Sequence, residues 1–130
     1  MPAIQSIEPG YYRIPLPAAV SDSMHGEMAA FELNTLCLRD ADGAEGIGYT
    51  FTCGRNGGAI DALLARDFPP LLLGEEADRI ERIWQKVWWA THYGGRGGPT
   101  VLALSALDIA LWDLKAKRLR EPLWRLLGGF

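Results

Sequence analysis

Two lysines and two aspartates near the end of the sequence are of the residue types that catalyse proton transfer. Lys115 and Lys117 form a K-x-K pair. On a β-strand such a pair would point both amines to the same side, where they could act on one substrate. Asp108 and Asp113 could serve as paired carboxylates in general acid–base catalysis. The secondary structure that carries these residues decides whether either pair can work.

This segment predicts a helix. Pro99 fits the first turn, apolar residues continue to about Leu119, and Pro122 stops further continuation. Residues two apart on a helix diverge by about 200°, and residues five apart by about 140°. Neither the two lysines nor the two aspartates can therefore converge on one substrate.

Structural roles are expected for these charged residues instead. Asp113 and Lys117 are four positions apart in the favourable acid-first order, which predicts an ion pair worth about 0.2–0.5 kcal/mol. Asp108 lies among apolar residues, and a buried carboxylate without partners is costly. We therefore expect Asp108 to have a specific structural partner.

The elements that carry these residues predict an α+β fold. Residues 4–15 read as one bent strand or two short ones, 31–39 as a second strand and 45–52 as a third, with turn residues at 40–43. The segment 17–28 has no sustained periodicity and reads as a loop of about twelve residues. The expected architecture is a three-stranded antiparallel meander followed by a bundle of about three helices.

The helices are expected at three places. Apolar residues from Ala59 to Phe68 follow helical spacing, and Pro69-Pro70 should end that helix. A second helix is expected over 76–93, where apolar residues form a stripe along one face. The sequence GGRGG, which follows directly, should end this helix. The third is the helix from Pro99 described above.

Composition limits the classes of partner. The chain has 130 residues, which suits a single domain over 1–130, and a net charge of −3, which argues against a nucleic-acid surface. Its most apolar stretch is about twelve residues, whereas a membrane span needs roughly twenty. The N-terminus lacks the pattern of a signal peptide. We expect a cytoplasmic protein that binds neither nucleic acid nor membranes.

The segment ALSALDIALWDLKAKRLREPLWRLLGG, residues 103–129, resembles the signature helix of the mandelate racemase / muconate lactonizing enzyme family in the enolase superfamily. The front half agrees, because a meander with two long loops followed by helices resembles the N-terminal capping domain of that family. The motifs FTCGRNGG and GGRGG look most like the acid-sugar dehydratase branch, of talarate/galactarate type. The matching positions of the segment are Ala103, Ser105, Ala106, Leu107, Asp108, Ala110, Leu111, Asp113, Ala116, Lys117, Pro122, Leu123, Leu126, Leu127 and Gly128.

The resemblance implies a division of labour between two domains. In this family a (β/α)₈ barrel of about 250 residues supplies three acidic Mg²⁺ ligands and the acid–base residues. The metal stabilises the enediolate that forms when a proton is removed next to a carboxylate. The barrel is missing from this chain, so no catalytic or metal-binding residue can be assigned to it. The full enzyme is expected to use Mg²⁺, whereas this chain alone should need no cofactor and be inactive.

The resemblance also implies that two loops of the capping domain cover the barrel mouth. Here they correspond to residues 19–26 and 50–57. His25 is the strongest individual candidate, because imidazole can donate or accept a proton near neutral pH. The alternative interpretation is that these are solvated loop residues that make local turn bonds. The candidates for the substrate pocket are Ser21, Asp22, Ser23, Met24, His25, Thr50, Thr52 and Arg55.

Three functions remain open. The first is the capping domain of a Mg²⁺-dependent sugar-acid dehydratase, or of a racemase or cycloisomerase of the same family. The second is a stand-alone binding module, and the third an oligomerisation unit, since five tryptophans supply apolar surface. Core packing is the simpler role for Trp84, Trp88 and Trp112. The apolar ending PLWRLLGGF favours a missing barrel as partner, with a small carboxylate as substrate and a homo-oligomer as the assembly.

Overall fold

A computed structural model describes residues 2–129 and shows three strands followed by helices. The strands are β1 (Ile4–Asp22), β2 (Gly26–Asp40) and β3 (Glu45–Thr52). They pair antiparallel in the order β1-β2-β3, so the predicted meander and the α+β class are confirmed. No (β/α)₈ barrel occurs within residues 2–129.

The loop predicted over residues 17–28 is wrong. β1 and β2 form one long hairpin in which Asp22 pairs with Gly26, so only residues 23–25 form the turn. The register shifts between Pro15 and Val20, where β1 carries extra residues in a bulge. β1 is an edge strand, which tolerates prolines that cannot donate hydrogen bonds. The irregular sequence therefore encodes a bulged edge strand instead of a loop.

The second hairpin follows the predicted turn. Asp40 Oδ1 accepts hydrogen bonds from the backbone N–H groups of Asp42 at 2.9 Å and Ala44 at 3.0 Å. Gly43 has a φ of 84°, in the left-handed region that glycine adopts without strain. Along β2 and β3 buried side chains alternate with more exposed ones, as expected for strands with one covered face.

Within residues 2–129, five α-helices follow the sheet, two of them single turns. They are α1 (Gly57–Ala62), α2 (Pro69–Leu72), α3 (Ile80–Thr91), α4 (Gly98–Leu119) and α5 (Leu123–Leu126). A π-helical segment, Leu63–Asp67, separates α1 from α2. The helical stretch of α1 and the π-helical segment ends at Asp67, which confirms the predicted stop before Pro69-Pro70, and Pro69 then begins the separate single turn α2. α4 agrees with the predicted helix.

α3 is shorter than the predicted 76–93. The preceding segment bonds to the start of β1, since Ile4 N–H donates to the Glu75 carbonyl at 2.9 Å and Ala3 bridges to Glu76. These backbone groups are thereby satisfied outside a helix. None of the helices in residues 2–129 combines the length and hydropathy needed to span a membrane.

The core lies between the inner face of the sheet and the helices, with α4 packed directly across β3. Gly46 and Gly48 face α4, and a Cβ at Gly48 would overlap the carbonyl oxygen of Ala106. The larger buried side chains are Ile4, Leu36, Leu38, Ile60, Leu64, Phe68, Leu72, Ile83, Leu104, Leu107, Leu111 and Leu114. This packing fixes the C-terminal end of β3 beside the N-terminal end of α4.

Candidate functional site

The lysine pair does not form a site. Lys117 Nζ lies 2.6 Å from Asp113 Oδ2, which confirms the predicted ion pair. Lys115 Nζ lies 5.2 Å from the centroid of the Trp112 ring, on another side of α4. Asp113 Oδ2 also accepts the backbone N–H of Ile47 at 2.7 Å, which ties the helix to the edge strand β3.

The expectation of a specific partner for Asp108 is wrong for the described residues. The Asp108 side chain is half-buried, and no hydrogen bond or ion pair of its carboxylate is found within residues 2–129. Partial burial raises the pKa of Asp108 above its usual value, because desolvation penalises the charged form. The helix tolerates this carboxylate without compensating it.

A cleft of about 670 Å³ opens where the β1–β2 hairpin, the loop after β3 and the start of α4 meet. Such a volume is typical of a small-molecule site. Its lining includes His25, Thr52 and Arg55 from the predicted set. Two segments that are about thirty positions apart thus share one concave surface. The remaining lining residues are Arg13, Glu27, Met28, Ala29, Ala30, Phe51, Cys53, Gly54, Asn56, Gly98, Pro99 and Leu102.

The hairpin turn holds His25 in place through Asp22. Asp22 Oδ1 accepts the backbone N–H of Met24 at 2.8 Å and that of His25 at 2.6 Å, while His25 Nδ1 lies 2.7 Å from Asp22 Oδ2. The hydrogen bond from the His25 backbone is the main cause that lowers the pKa of Asp22. The local hydrogen bonds of the turn, which were the alternative interpretation of the sequence, therefore exist. They also orient the imidazole of His25.

The other predicted residues lie outside the cleft or below it. Ser21, Ser23 and Met24 are exposed at the hairpin turn and do not line the cleft. Thr50 and Thr52 face the inner side of the sheet, with exposed fractions of 6% and 8%. Only Thr52 reaches the cleft lining.

The cationic part of the cleft comes from two arginines on separate elements. Arg13 lies on β1 and Arg55 in the loop after β3. Neither arginine takes part in an ion pair within residues 2–129. Glu27 is the acidic side chain of the lining. The arrangement offers two guanidinium groups and an imidazole to an anionic or hydroxylated ligand.

Sequence reasoning missed Arg13 because reading residues 17–28 as a loop left the register of β1 against β2 undetermined. Arg13 faces Glu32 across the hairpin, two residues from the Ala30–Pro15 pair. A correct register would have placed Arg13 beside the loop after β3. Reading the segment 17–28 as a strand would have supplied that register.

A metal ion would need several ligand side chains close together within the described residues, 2–129. Within residues 2–129, no three side chains of His, Cys, Asp or Glu lie close enough together to hold a metal ion. The Cys53 thiol is free and exposed at the cleft. The described residues therefore do not fit a Mg²⁺ ion, and none of their chemistry is assigned to one.

Known proteins are similar to this chain in sequence over most of its length. The 3,6-anhydro-alpha-L-galactonate cycloisomerase of Streptomyces coelicolor is 50% identical over 98% of this chain and 35% of its own length. The L-talarate/galactarate dehydratase of Salmonella typhimurium is 44% identical over 71% of this chain and 23% of its own length. The chain thus spans about a third or less of these relatives.

Solved structures agree with the sequence comparison. A racemase from Streptomyces coelicolor with bound magnesium superimposes with a TM-score of 0.95 at 50% identity, over 98% of this chain and 36% of that one. The Salmonella typhimurium dehydratase, liganded with Mg and L-lyxarohydroxamate, gives a TM-score of 0.90 at 35% identity, over 98% and 34%. The pattern described as "Mandelate racemase / muconate lactonizing enzyme, N-terminal domain" matches residues 11–128. The chain belongs to the mandelate racemase / muconate lactonizing enzyme family, as its N-terminal domain.

Proposed function

We propose that this domain is the lid of a Mg²⁺-dependent enzyme that removes a proton next to the carboxylate of a sugar acid and expels water. The cleft between the hairpin turn and the loop after β3 is the observation that carries the proposal. It presents polar and cationic side chains from two separate segments on one concave surface. A polyhydroxy acid needs such groups for its hydroxyls and carboxylate.

Each part of the cleft has a distinct task. Arg55 and Arg13 bind anionic or hydroxyl oxygens, and His25, oriented by Asp22, donates or accepts one hydrogen bond. Phe51 and Met28 supply apolar walls that exclude water from the bound ligand. Ser21, Ser23 and Met24 are proposed to approach the ligand from the exposed turn, whereas buried Thr50 supports the strand.

The metal and the acid–base residues are proposed to lie in a (β/α)₈ barrel domain, which is the main partner of this domain. The two related structures named above hold magnesium, while residues 2–129 here offer no ligand cluster for it. Magnesium would polarise the substrate carboxylate from the barrel side. We also propose that the full protein is a homo-oligomer.

A cycloisomerase is the second candidate. The Streptomyces coelicolor cycloisomerase shares 50% identity across 98% of this chain, whereas the dehydratase comparison covers 71%. Both reactions can begin with the same proton removal and differ in the group that leaves. The lid alone is compatible with a dehydratase and with a cycloisomerase, so identification of the reaction product distinguishes the two.

The proposal is tested on the full-length protein that carries this domain, incubated with Mg²⁺ and a panel of hexarates, hexonates and 3,6-anhydrohexonates. A dehydratase should release a 2-keto-3-deoxy acid, detected as its semicarbazone. A cycloisomerase should convert only the anhydro acid, with an unchanged product mass. Chelation of the metal with EDTA should abolish either activity. Absence of turnover and of α-proton exchange in D₂O with every compound would refute the proposal.

His25 provides the residue-level test of the lid. His25→Ala should lower kcat/KM about 5- to 20-fold, the effect of losing one ligand hydrogen bond worth about 1–2 kcal/mol. His92→Ala is the matched control, because His92 directly follows α3, contacts Trp88 and Trp89 and does not line the cleft. It should leave kcat/KM within twofold of the unmodified protein. Unchanged kinetics in His25→Ala would remove this residue from the site.

A further inference from the structure

A chain of hydrogen bonds runs beneath the cleft from β1 to the loop after β3. Tyr11 donates its hydroxyl hydrogen to Glu32 Oε2, and this bond is the main cause that raises the pKa of Tyr11. Thr52 Oγ1 donates to Glu32 Oε1 at 3.3 Å, and the backbone N–H of Gly54 donates to Thr52 Oγ1 at 3.3 Å. The side chain of Glu32 thereby links three strands to the first turn of the loop.

The other end of the loop is held by a second buried side chain. Asn34 is fully buried, and its Nδ2 donates to the carbonyl oxygen of Gly57 at 3.0 Å. Gly57 lies directly against Glu32, since a Cβ added there would overlap the Glu32 carboxylate. Residues 53–56 are therefore bracketed by Glu32, through Thr52, and by Asn34.

The loop contains two residues with a positive φ, and one of them carries a side chain. Gly54 has a φ of 94°, and Asn56 has a φ of 72°, a left-handed conformation that is uncommon for a residue with a side chain. Conformations of this kind persist where surrounding groups impose them. Arg55 lies between these two residues and lines the cleft.

Burial of the Glu32 side chain costs free energy, because the carboxyl group loses its contacts with water. A buried polar group of this kind indicates a specific structural role. Only 4% of Glu32 is exposed, and no cationic side chain forms an ion pair with it within residues 2–129. An apolar residue could fill the same space without the loss of hydration. The two hydroxyl donors make the carboxylate a fixed acceptor that serves the loop.

We propose that Glu32 and Asn34 are positioning residues that set the conformation of residues 53–56 and thereby hold Arg55 in the wall of the cleft. Neither side chain lines the cleft itself. Any effect of their substitution on ligand binding must therefore pass through the loop. The kinetic consequence rests on the proposed function, whereas the conformational consequence does not.

Amide hydrogen exchange on the full-length protein tests the conformational part. In Glu32→Ala, exchange at residues 54–57 should rise at least tenfold, while amides paired between β2 and β3 stay within threefold of the unmodified protein. Glu32→Gln, which keeps one acceptor and the shape, should show a smaller rise. Thr35→Val is the control, since Thr35 lies on the outer face of β2 and should change neither region.

Two further variants keep the test decisive if Glu32→Ala does not fold. Tyr11→Phe removes one hydrogen bond to Glu32 without exposing new space, and Asn34→Ala frees the Gly57 carbonyl at the other end of the loop. Both should accelerate exchange in the same loop. Unchanged loop exchange, or an even rise through the whole sheet, would overturn the proposal.

A double-mutant cycle with Arg55 tests the kinetic part. Glu32→Ala should raise KM for the sugar acid about tenfold and leave kcat within threefold, whereas simple destabilisation would lower apparent kcat at constant KM. With Arg55→Ala already present, Glu32→Ala should raise KM by less than twofold, because its effect acts through Arg55. Independent, multiplying effects would overturn the proposal. If no sugar acid is turned over, the proposed function fails, and the exchange result still decides the role of Glu32.

Discussion

At the scale of single residues, two aspartates on α4 differ in whether their carboxylates have hydrogen-bond and ion-pair partners. Asp113 accepts a hydrogen bond from Ile47 N–H and pairs with Lys117, so its carboxylate has two partners in the folded chain. Asp108, five residues earlier, is half-buried without such partners in residues 2–129, and desolvation raises its pKa. Similar sequence surroundings conceal this difference.

We expect opposite stability effects from the two isosteric replacements. Asp113→Asn should reduce the free energy of unfolding by about 1–2 kcal/mol, because it weakens a charge-assisted hydrogen bond and an ion pair. Asp108→Asn should increase that free energy at pH 7. Urea denaturation of the 130-residue chain provides the measurement.

The pH dependence identifies the cause. A raised folded-state pKa means that ionised Asp108 destabilises the fold above the pKa of the unfolded chain, about 3.9. The gain from Asp108→Asn should therefore shrink as the pH falls towards that value and vanish below it. A gain that persists at pH 3 would show that another effect stabilises the variant.

At the scale of elements, the approach of α4 to β3 determines where the cleft forms. Gly46 and Gly48 on β3 face Ala106 and Ala110 on α4, and these small residues let the two backbones come close. The same contact brings Pro99, at the start of α4, into the lining of the cleft, to which Phe51 also contributes. Small residues at these positions therefore serve both stability and the site.

Gly48→Ala should destabilise the fold. The new Cβ would overlap backbone atoms of Ala106 and Ala110, which cannot move aside as a flexible side chain could. We expect a loss of about 1–3 kcal/mol, the usual cost of overpacking. Thermal unfolding followed by circular dichroism measures it.

Gly58→Ala is the matched control for this prediction. Gly58 is exposed on α1, and a Cβ there would meet no atom within 4 Å. The change should stabilise the fold by roughly 0.4–1 kcal/mol, because alanine restricts the unfolded chain. Equal effects of the two substitutions would contradict the packing argument.

At the scale of the whole molecule, apolar surface remains uncovered. The outer face of the sheet exposes about half of Tyr12, Tyr49 and Phe51. Trp124 on α5 and Leu127 just after it are exposed to a similar extent. The expectation that Trp84, Trp88 and Trp112 pack in the core holds for Trp88 and Trp112, which are partly buried against it. It is wrong for Trp84, which is exposed and stacks on Trp88 at 5.6 Å.

The 130-residue chain alone should self-associate through such surface. Sedimentation velocity should show a sedimentation coefficient that rises with protein concentration, together with binding of a hydrophobic dye. Trp124→Lys and Tyr49→Lys probe the α5 surface and the sheet face separately, and the variant that abolishes association identifies the surface in contact. A clean monomer at high concentration without dye binding would contradict the expectation.

The sequence by itself determined the elements with strong local signals. Alternation in β2 and β3, the turn at Asp40 and the proline at the start of α4 each act within a few residues, so their patterns predicted them correctly. The helical setting of Lys115 and Lys117 was equally local, and it excluded a catalytic pair. The motif in residues 103–129 identified the family.

Only the tertiary structure decided the rest, because the relevant contacts join distant parts of the chain. The pairing of residues 17–22 with β2 depends on a bulge that has no periodic signature, and its register alone places Arg13 at the cleft. The role of buried Glu32 follows from its hydrogen bonds with Tyr11 and Thr52, which lie on the two neighbouring strands. Local sequence sets which elements form, whereas the free energy of packing them together sets which side chains meet.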